Sequence, residues 1–246
     1  MISRNTSIEA ALKSKQRGML LNPFRFGAAS GGFPTTGLVA YYRLQGDAND
    51  ATPAGRNAIS TTGISYAAAK NGNGGVFTAA TPVSITLPNT AKLPDDYTIA
   101  AWVKASVLNP PSGAHVLYAD WSGGGRNILV VQVAGGNIEY TNGNGGSLSD
   151  PLLLVPGVLN TSTYTFVAIR RIGSTISLWK DGALAATYVG AYSGSTTGNN
   201  WRIGADNSNS ASFGFDGIID ELGLWDIGLS PTQLTNLYNA GAGLFY

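Results

Sequence analysis

Along most of this chain, apolar residues recur at alternate positions in short runs, and each run is cut off by a cluster of turn-forming residues. From Gly37 onward, Leu38 to Leu44, Val76 to Thr78, Val83 to Leu87, Tyr97 to Ala105, His115 to Ala119, Asn127 to Val133, Asn137 to Tyr140, Thr163 to Ile172, Thr175 to Lys180, Ala183 to Val189 and Trp201 to Gly204 read as extended segments. The Asn-Gly, Gly-Gly and Asp-Gly pairs between them are the punctuation of antiparallel strands. Eleven such segments with almost no helical periodicity predict an all-β fold of two antiparallel sheets packed as a sandwich.

Two local signals add detail. Ile176 to Leu184 predicts a hairpin, because Asp181-Gly182 supplies the two positive φ values of a type I′ turn whose twist suits the strands. Ser230-Pro231-Thr232-Gln233 combines an N-cap, Pro at the first helical position and Gln three residues after the cap. A short helix is therefore expected from Pro231 to Ala240, stopped by Gly241, with Leu234, Leu237 and Tyr238 on the sandwich.

Before Gly37 the pattern is different. Thr6 and Glu9 fit a capping box, Ala10, Ala11 and Leu12 favour helix, and Lys13, Lys15 and Arg17 suit the negative end of its dipole before Gly18. So short a helix is marginal alone and needs a surface to dock on. The peptide that follows carries Leu20, Leu21, Phe24, Arg25 and Phe26 and runs into a glycine-rich junction from Gly27 to Gly32. Residues 1–34 thus read as a basic docking arm, extended and helical, and 35–246 as the sandwich domain.

Composition sharpens this division. The chain has 246 residues, 15 Lys+Arg, 14 Asp+Glu, one His, no Cys and 33 Gly. Near-neutrality comes from opposed halves, since the arm has five basic residues against Glu9, a balance of +4, and the remainder balances at −3. A disulfide framework and a thiolate zinc site are impossible without Cys. A mildly acidic body has no electrostatic footprint for nucleic acid, and the apolar runs fall far short of the ~20 residues of a membrane span. Glu9, Lys13, Lys15 and Arg17 interrupt any secretion-signal core.

Three segments in order resemble the laminin G-like, concanavalin A-like jelly-roll family. These are Gly37-Leu38-Val39-Ala40-Tyr41-Tyr42-Arg43-Leu44 running on to Asp50, the hairpin at Asp181-Gly182, and Phe215-Asp216-Gly217-Ile218-Ile219-Asp220-Glu221-Leu222-Gly223-Leu224-Trp225 leading into the terminal helix. The resemblance implies two curved antiparallel sheets and a face or rim that binds glycan, protein or a structural calcium ion. Asp50 and Asp220 match motif positions near which relatives hold calcium. The arm, with the ending Leu237 to Gly243, also resembles small structural proteins of tailed bacteriophages. That implies a virion component assembled in the host cytoplasm as part of a multimeric particle, with other virion proteins as partners of the arm and a host-surface glycan as a partner of the sandwich.

Candidate chemistry is sparse. Glycosidases on such sandwiches place two carboxylates on one face. The chain has three Glu, and Asp220 and Glu221 are adjacent, so regular strand geometry sends them to opposite faces. His115 has no nucleophile elbow with it, and the Gly-rich stretches lack a phosphate-loop ending. Calcium remains a candidate through Asp50 and Asp220, as hard oxygen ligands. For glycan, loop-borne aromatics beside amides and charges are the useful combination, which singles out Trp121, Arg126 and Asn127, and Trp201, Asp206 and Asn207. Trp102, Trp179 and Trp225 read as packing residues within strands. The expectation is a non-enzymatic virion protein displaying a binding sandwich. The alternative is a free-standing carbohydrate-binding lectin module.

Overall fold

The structure, a computed structural model, describes residues 31–246 apart from 82, 92, 94, 112, 123, 124, 144–151, 191–200 and 207–212, and the backbone alone at 121, 122, 125–129, 142 and 143. Lys13, Lys15, Arg17, Leu20, Leu21, Phe24, Arg25, Phe26 and Asn207 lie outside the described residues.

Among the described residues, fifteen strands form two antiparallel sheets: β1 (Leu38–Tyr42), β2 (Ser60–Thr62), β3 (Ser65–Ala68), β4 (Asn73–Phe77), β5 (Ser84–Leu87), β6 (Tyr97–Ala105), β7 (Ala114–Ser122), β8 (Gly125–Val133), β9 (Asn137–Gly143), β10 (Leu153–Val155), β11 (Thr165–Ile172), β12 (Thr175–Lys180), β13 (Ala183–Val189), β14 (Trp201–Ile203) and β15 (Gly217–Trp225). The first sheet runs β13-β12-β11-β6-β15-β4-β3, with β1 also paired to β15, and the second runs β10-β9-β8-β7-β14-β5-β2. The strands absent from the sequence reading, β2, β3 and β10, are sheet-edge segments of three or four residues. β2 is exposed throughout, so it shows no apolar alternation to read.

The main core lies between the sheets. Ile99, Val103, Val167, Ile169, Leu178 and Leu222 from the first sheet meet Ile85, Leu87, Leu117, Ile138 and Trp201 from the second. A polar link crosses this layer, where the Tyr97 and Tyr140 hydroxyls lie 2.6 Å apart. A gap of about 40 Å³ remains, lined by aliphatic side chains and Tyr118, which is too small for a ligand.

The outer face of the first sheet is covered too. Ala100, Trp102, Phe166, Ala168, Trp179 and Trp225 form a second apolar layer beneath Leu229, Leu234 and Leu237. The last two belong to helix α1 (Pro231–Tyr238), which has the expected capping box between Ser230 and Gln233 and Pro at its start. It stops earlier than expected: Asn239, not Gly241, takes the left-handed cap at φ 48°, and a 3₁₀ turn follows over Asn239–Gly241. Tyr238 stacks on Trp102 with ring centroids 5.9 Å apart. The layer also includes Phe33, and the Trp225 indole donates to the Pro34 carbonyl at 2.7 Å. The compact unit accordingly begins at Gly31, and Phe33 and Pro34, the last residues of the expected arm, pack on the sandwich. Among the described residues, no helix is long and apolar enough to cross a membrane.

β15 contains a bulge between Asp220 and Gly223, with Glu221 at φ 54°. This corrects the expectation that the two adjacent carboxylates face opposite sides, because a bulge breaks strict alternation. Both turn to Asn71, whose backbone N–H donates to Asp220 Oδ2 at 2.8 Å and whose side-chain amide donates to Glu221 Oε1 at 2.6 Å. Asp220 Oδ1 and Glu221 Oε2 are buried with no partner among the described residues. Burial above all, and then the Glu221 charge, pushes Asp220 up to about 7 against the opposing Asn71 hydrogen bond, and burial raises Glu221 as well.

Two predictions follow from this packing. Thr98 Oγ1 donates to the Ile227 carbonyl and accepts from Leu229 N–H, both at 2.9 Å, fixing the crossing from β15 into α1. Thr98→Val should lower stability by about 1–3 kcal/mol in denaturant titration, because it leaves a buried N–H and a carbonyl unpaired. For Asp220, a folded pKa above the ordinary 3.8 means that its stabilising contribution is full below pH 3.8 and is lost as pH rises through about 7. Wild type should therefore lose about 2–4 kcal/mol relative to Asp220→Asn between pH 4 and pH 8. A stability difference that stays constant over that range would refute the assignment.

Candidate functional site

The hairpin register of β11, β12 and β13 builds a floor on the outer side of the first sheet. Directly paired residues project to the same face, and the face repeats at every second residue. Three rows result: Ala168, Trp179 and Leu184; Arg170, Ser177 and Thr187; and Ile172, Thr175 and Val189. The Asp181-Gly182 turn, with φ 51° and 73°, sets Lys180 against Ala183 and Trp179 against Leu184, and a bulge beyond Trp179 then shifts the register by one, so that Ser177 meets Thr187 and Leu184 and Thr187 share a face. The roof over the outer face ends at Pro231, the first residue of α1. A groove of about 320 Å³ opens beside it, lined by Arg170, Thr175, Ser177, Trp179, Leu184 and Thr187 with Ile172 and Pro231.

Its lining combines two kinds of surface. Trp179 spends its indole N–H on Ser177 Oγ at 3.0 Å, so it offers the groove ring surface and no donor. Leu184 is 54% exposed and extends this apolar strip toward the sheet edge. Against it stand the Arg170 guanidinium and the hydroxyls of Thr175 and Thr187. Arg170 and Arg171 are adjacent in β11 and so face opposite sides. Arg171 is engaged, pairing with Asp95 at 3.4 Å and donating to the Gly173 carbonyl at 2.9 Å. Arg170 Nε is buried with no acceptor among the described residues, and that burial lowers its pKa from the ordinary arginine value.

The residues expected to bind glycan lie elsewhere. The backbone pairs Trp121 on β7 with Arg126 on β8, and Asp120 with Trp201 on β14, so the register brings these positions to one end of the second sheet, with Asn127 next to Arg126 on β8. Trp201 is not an exposed platform: its side chain is fully buried and packs on Tyr118 with centroids 5.2 Å apart. Tryptophan's large apolar ring is worth more in the core at that strand position than in the loop suggested by its polar neighbours. Asp206 is buried as well, and its carbonyl accepts from Arg202 at 3.2 Å.

Asp50 does not fit the calcium role that the resemblance implied. Its Oδ1 accepts from the N–H groups of Tyr41 and Thr52, both at 2.9 Å, and its Oδ2 from Thr52 Oγ1 and Arg56 N–H, both at 2.8 Å. Four protein donors fill the lone pairs of the carboxylate, which pins the loop after β1. Among the described residues, no group of three or more acidic or His side chains is placed to hold a metal ion.

The sequence reading missed Arg170, Thr175, Ser177 and Thr187, and read Trp179 only as packing. The hairpin signal in the sequence did not reach them: continued regularly from Asp181-Gly182, the register would set Ser177 against Ala186, and the bulge beyond Trp179 puts it against Thr187 instead. What the sequence lacked was the place where the helix stops covering the sheet.

The comparisons agree with this architecture. No curated protein matches the sequence. Domain 4 of AbnA, an extracellular GH43 arabinanase of Geobacillus stearothermophilus solved with arabinotriose, superposes with a TM-score of 0.59 at 20% identity, over 81% of this chain and 97% of that one. The binding domain of Paraclostridial Mosquitocidal Protein 1 gives 0.66 at 11% identity, over 83% of this chain and 52% of that one. Trypanosoma rangeli sialidase solved with sialic acid gives 0.67 at 16% identity, over 87% of this chain and 35% of that one. The chain thus spans about half of the second and a third of the third, and at such identities the likeness is one of fold. Residues 77–235 match the laminin G type model of the concanavalin A-like lectin/glucanases superfamily, and the chain is a member of that superfamily.

Proposed function

We propose that this chain is a non-catalytic, lectin-type module that takes a saccharide in the groove over β11–β13 and is carried on a larger assembly by its N-terminal arm. The observation that carries the reading is the groove lining, an apolar strip of Trp179 and Leu184 set against the side-chain donors of Arg170, Thr175 and Thr187, which have no partner among the described residues. Sugars present apolar C–H faces and many hydroxyls, and a concave surface of about 320 Å³ is in the range for a small ligand.

Binding rather than hydrolysis is favoured by the carboxylates. In most glycoside hydrolases two of them flank the scissile bond. The described residues lining the groove include none, and Asp220 and Glu221 are buried around Asn71. In the setting implied by the arm's resemblance, a tailed-phage particle, residues 1–30 would dock on a neighbouring virion protein and leave the sandwich to meet host-surface glycan.

A glycan array followed by titration calorimetry tests the saccharide reading. Thr187 is exposed on an edge strand, so Thr187→Trp should fill the groove without unfolding the sheet and weaken binding about tenfold or more. Failure of every saccharide to bind, or binding that ignores this substitution, would overturn it. Removal of residues 1–30, sparing Phe33 and Pro34, should leave the melting temperature of the sandwich unchanged and abolish incorporation into particles. Normal incorporation of the truncated chain would point to a free-standing or otherwise attached lectin.

A further inference from the structure

We infer that the groove over β11–β13 selects a saccharide bearing a carboxylate, of uronic or sialic type, and that Arg170 is the residue that reads it. This rests on the saccharide reading of the same groove and adds the chemical class of the ligand. The starting point is a comparison of the arginines whose side chains are described. Arg43 donates to the Tyr246 carbonyl, Arg56 to that of Val39, Arg171 to Asp95 and Gly173, and Arg202 to the Asp206 carbonyl. Arg170 Nε is buried without an acceptor, as Arg202 Nε is, but Arg170 alone of the five also makes no hydrogen bond from its terminal nitrogens to any described residue. Those terminal nitrogens are left for a bound anion.

The surroundings define the anion. Among the described residues lining the groove, Arg170 is the one that is charged, and none is a carboxylate that would neutralise it. Guanidinium presents parallel N–H groups that match the two oxygens of a carboxylate, in a geometry that an ammonium or hydroxyl cannot reproduce. Thr187 shares the Arg170 row and Thr175 lies in the next. Rows on one face of a strand are separated by roughly 7 Å and neighbouring strands by about 4.8 Å, which is the scale of one pyranose ring. The Trp179 and Leu184 row lies on the other side of Arg170 and offers an apolar surface to the ring's C–H face. A carboxylate on Arg170, hydroxyls toward Thr175 and Thr187, and a C–H face on Trp179 and Leu184 use every element of the lining at once.

The test uses the full chain in titration calorimetry with matched pairs: trigalacturonic acid against its methyl ester, and 3′-sialyllactose against lactose. The acid member of at least one pair should bind about tenfold or more tightly than its neutral counterpart. Arg170→Gln should abolish the preference, bringing the acid and its neutral counterpart to equal affinity. Arg170→Lys, which keeps the charge without the fork, should show a preference between those of wild type and Arg170→Gln. The wild-type comparison of acid with ester stands even if Arg170→Gln fails to fold. Equal affinity for acid and neutral forms, with binding still blocked by Thr187→Trp, would overturn the inference and leave the saccharide reading in place. An acid preference that survives Arg170→Gln would overturn the role of Arg170. Absence of binding to all four probes and across the glycan array would overturn both readings together.

Discussion

The rest of the structure depends on the burial of the first sheet on both faces. β6 and β15, each nine residues long, are almost continuously buried, because one side meets the second sheet and the other lies under α1 and the chain ends. A sheet covered on one side alternates apolar with polar residues, whereas a doubly covered one needs apolar residues throughout. The outer face meets that demand with Trp102, Phe166, Trp179 and Trp225. Such aromatics left in water would form a large exposed apolar patch, so the fold requires a roof. Ser230 and Pro231 start the helix that provides it, and Thr98 ties the approach to that helix back onto β6.

The roof is incomplete, and its edge connects packing to function. α1 begins at Pro231, and among the described residues nothing covers the groove beside it toward β13. Trp179 sits at this boundary, part of the covered layer and also part of the groove lining. Arg170 lies one row further out and has no acidic neighbour in its row. The same geometry that stabilises the centre of the sheet therefore leaves a mixed apolar and cationic concavity at its margin. The two polar groups differ in whether they are already satisfied. Asp50, with four protein donors, is a finished structural element, and Arg170 is not.

The carboxylates of β15 show how one irregularity redirects chemistry. In a regular strand Asp220 and Glu221 would diverge. The bulge and the left-handed backbone at Glu221 bring both to Asn71, and burial then makes their ionisation costly. The pair is buried, and neither residue lines the groove.

The sequence by itself determined the fold class, the Asp181-Gly182 hairpin, the capping box at Ser230 and Gln233, and the packing role of Trp102, Trp179 and Trp225. Each of these follows from local physics: residue alternation, the positive φ values of a particular turn, the hydrogen bonds of a particular cap, and the tendency of large rings within strands to be buried. Tertiary structure alone decided what those elements leave exposed. Trp201 appears in the sequence among polar neighbours, yet the pairing of β14 with β5 and β7 carries it into the core. Arg170 and Arg171 are indistinguishable in the sequence, and strand direction together with the distant Asp95 makes one structural and the other available. Exposure and satisfaction depend on partners far along the chain, so the groove became visible only when the end of α1 could be placed against β11–β13.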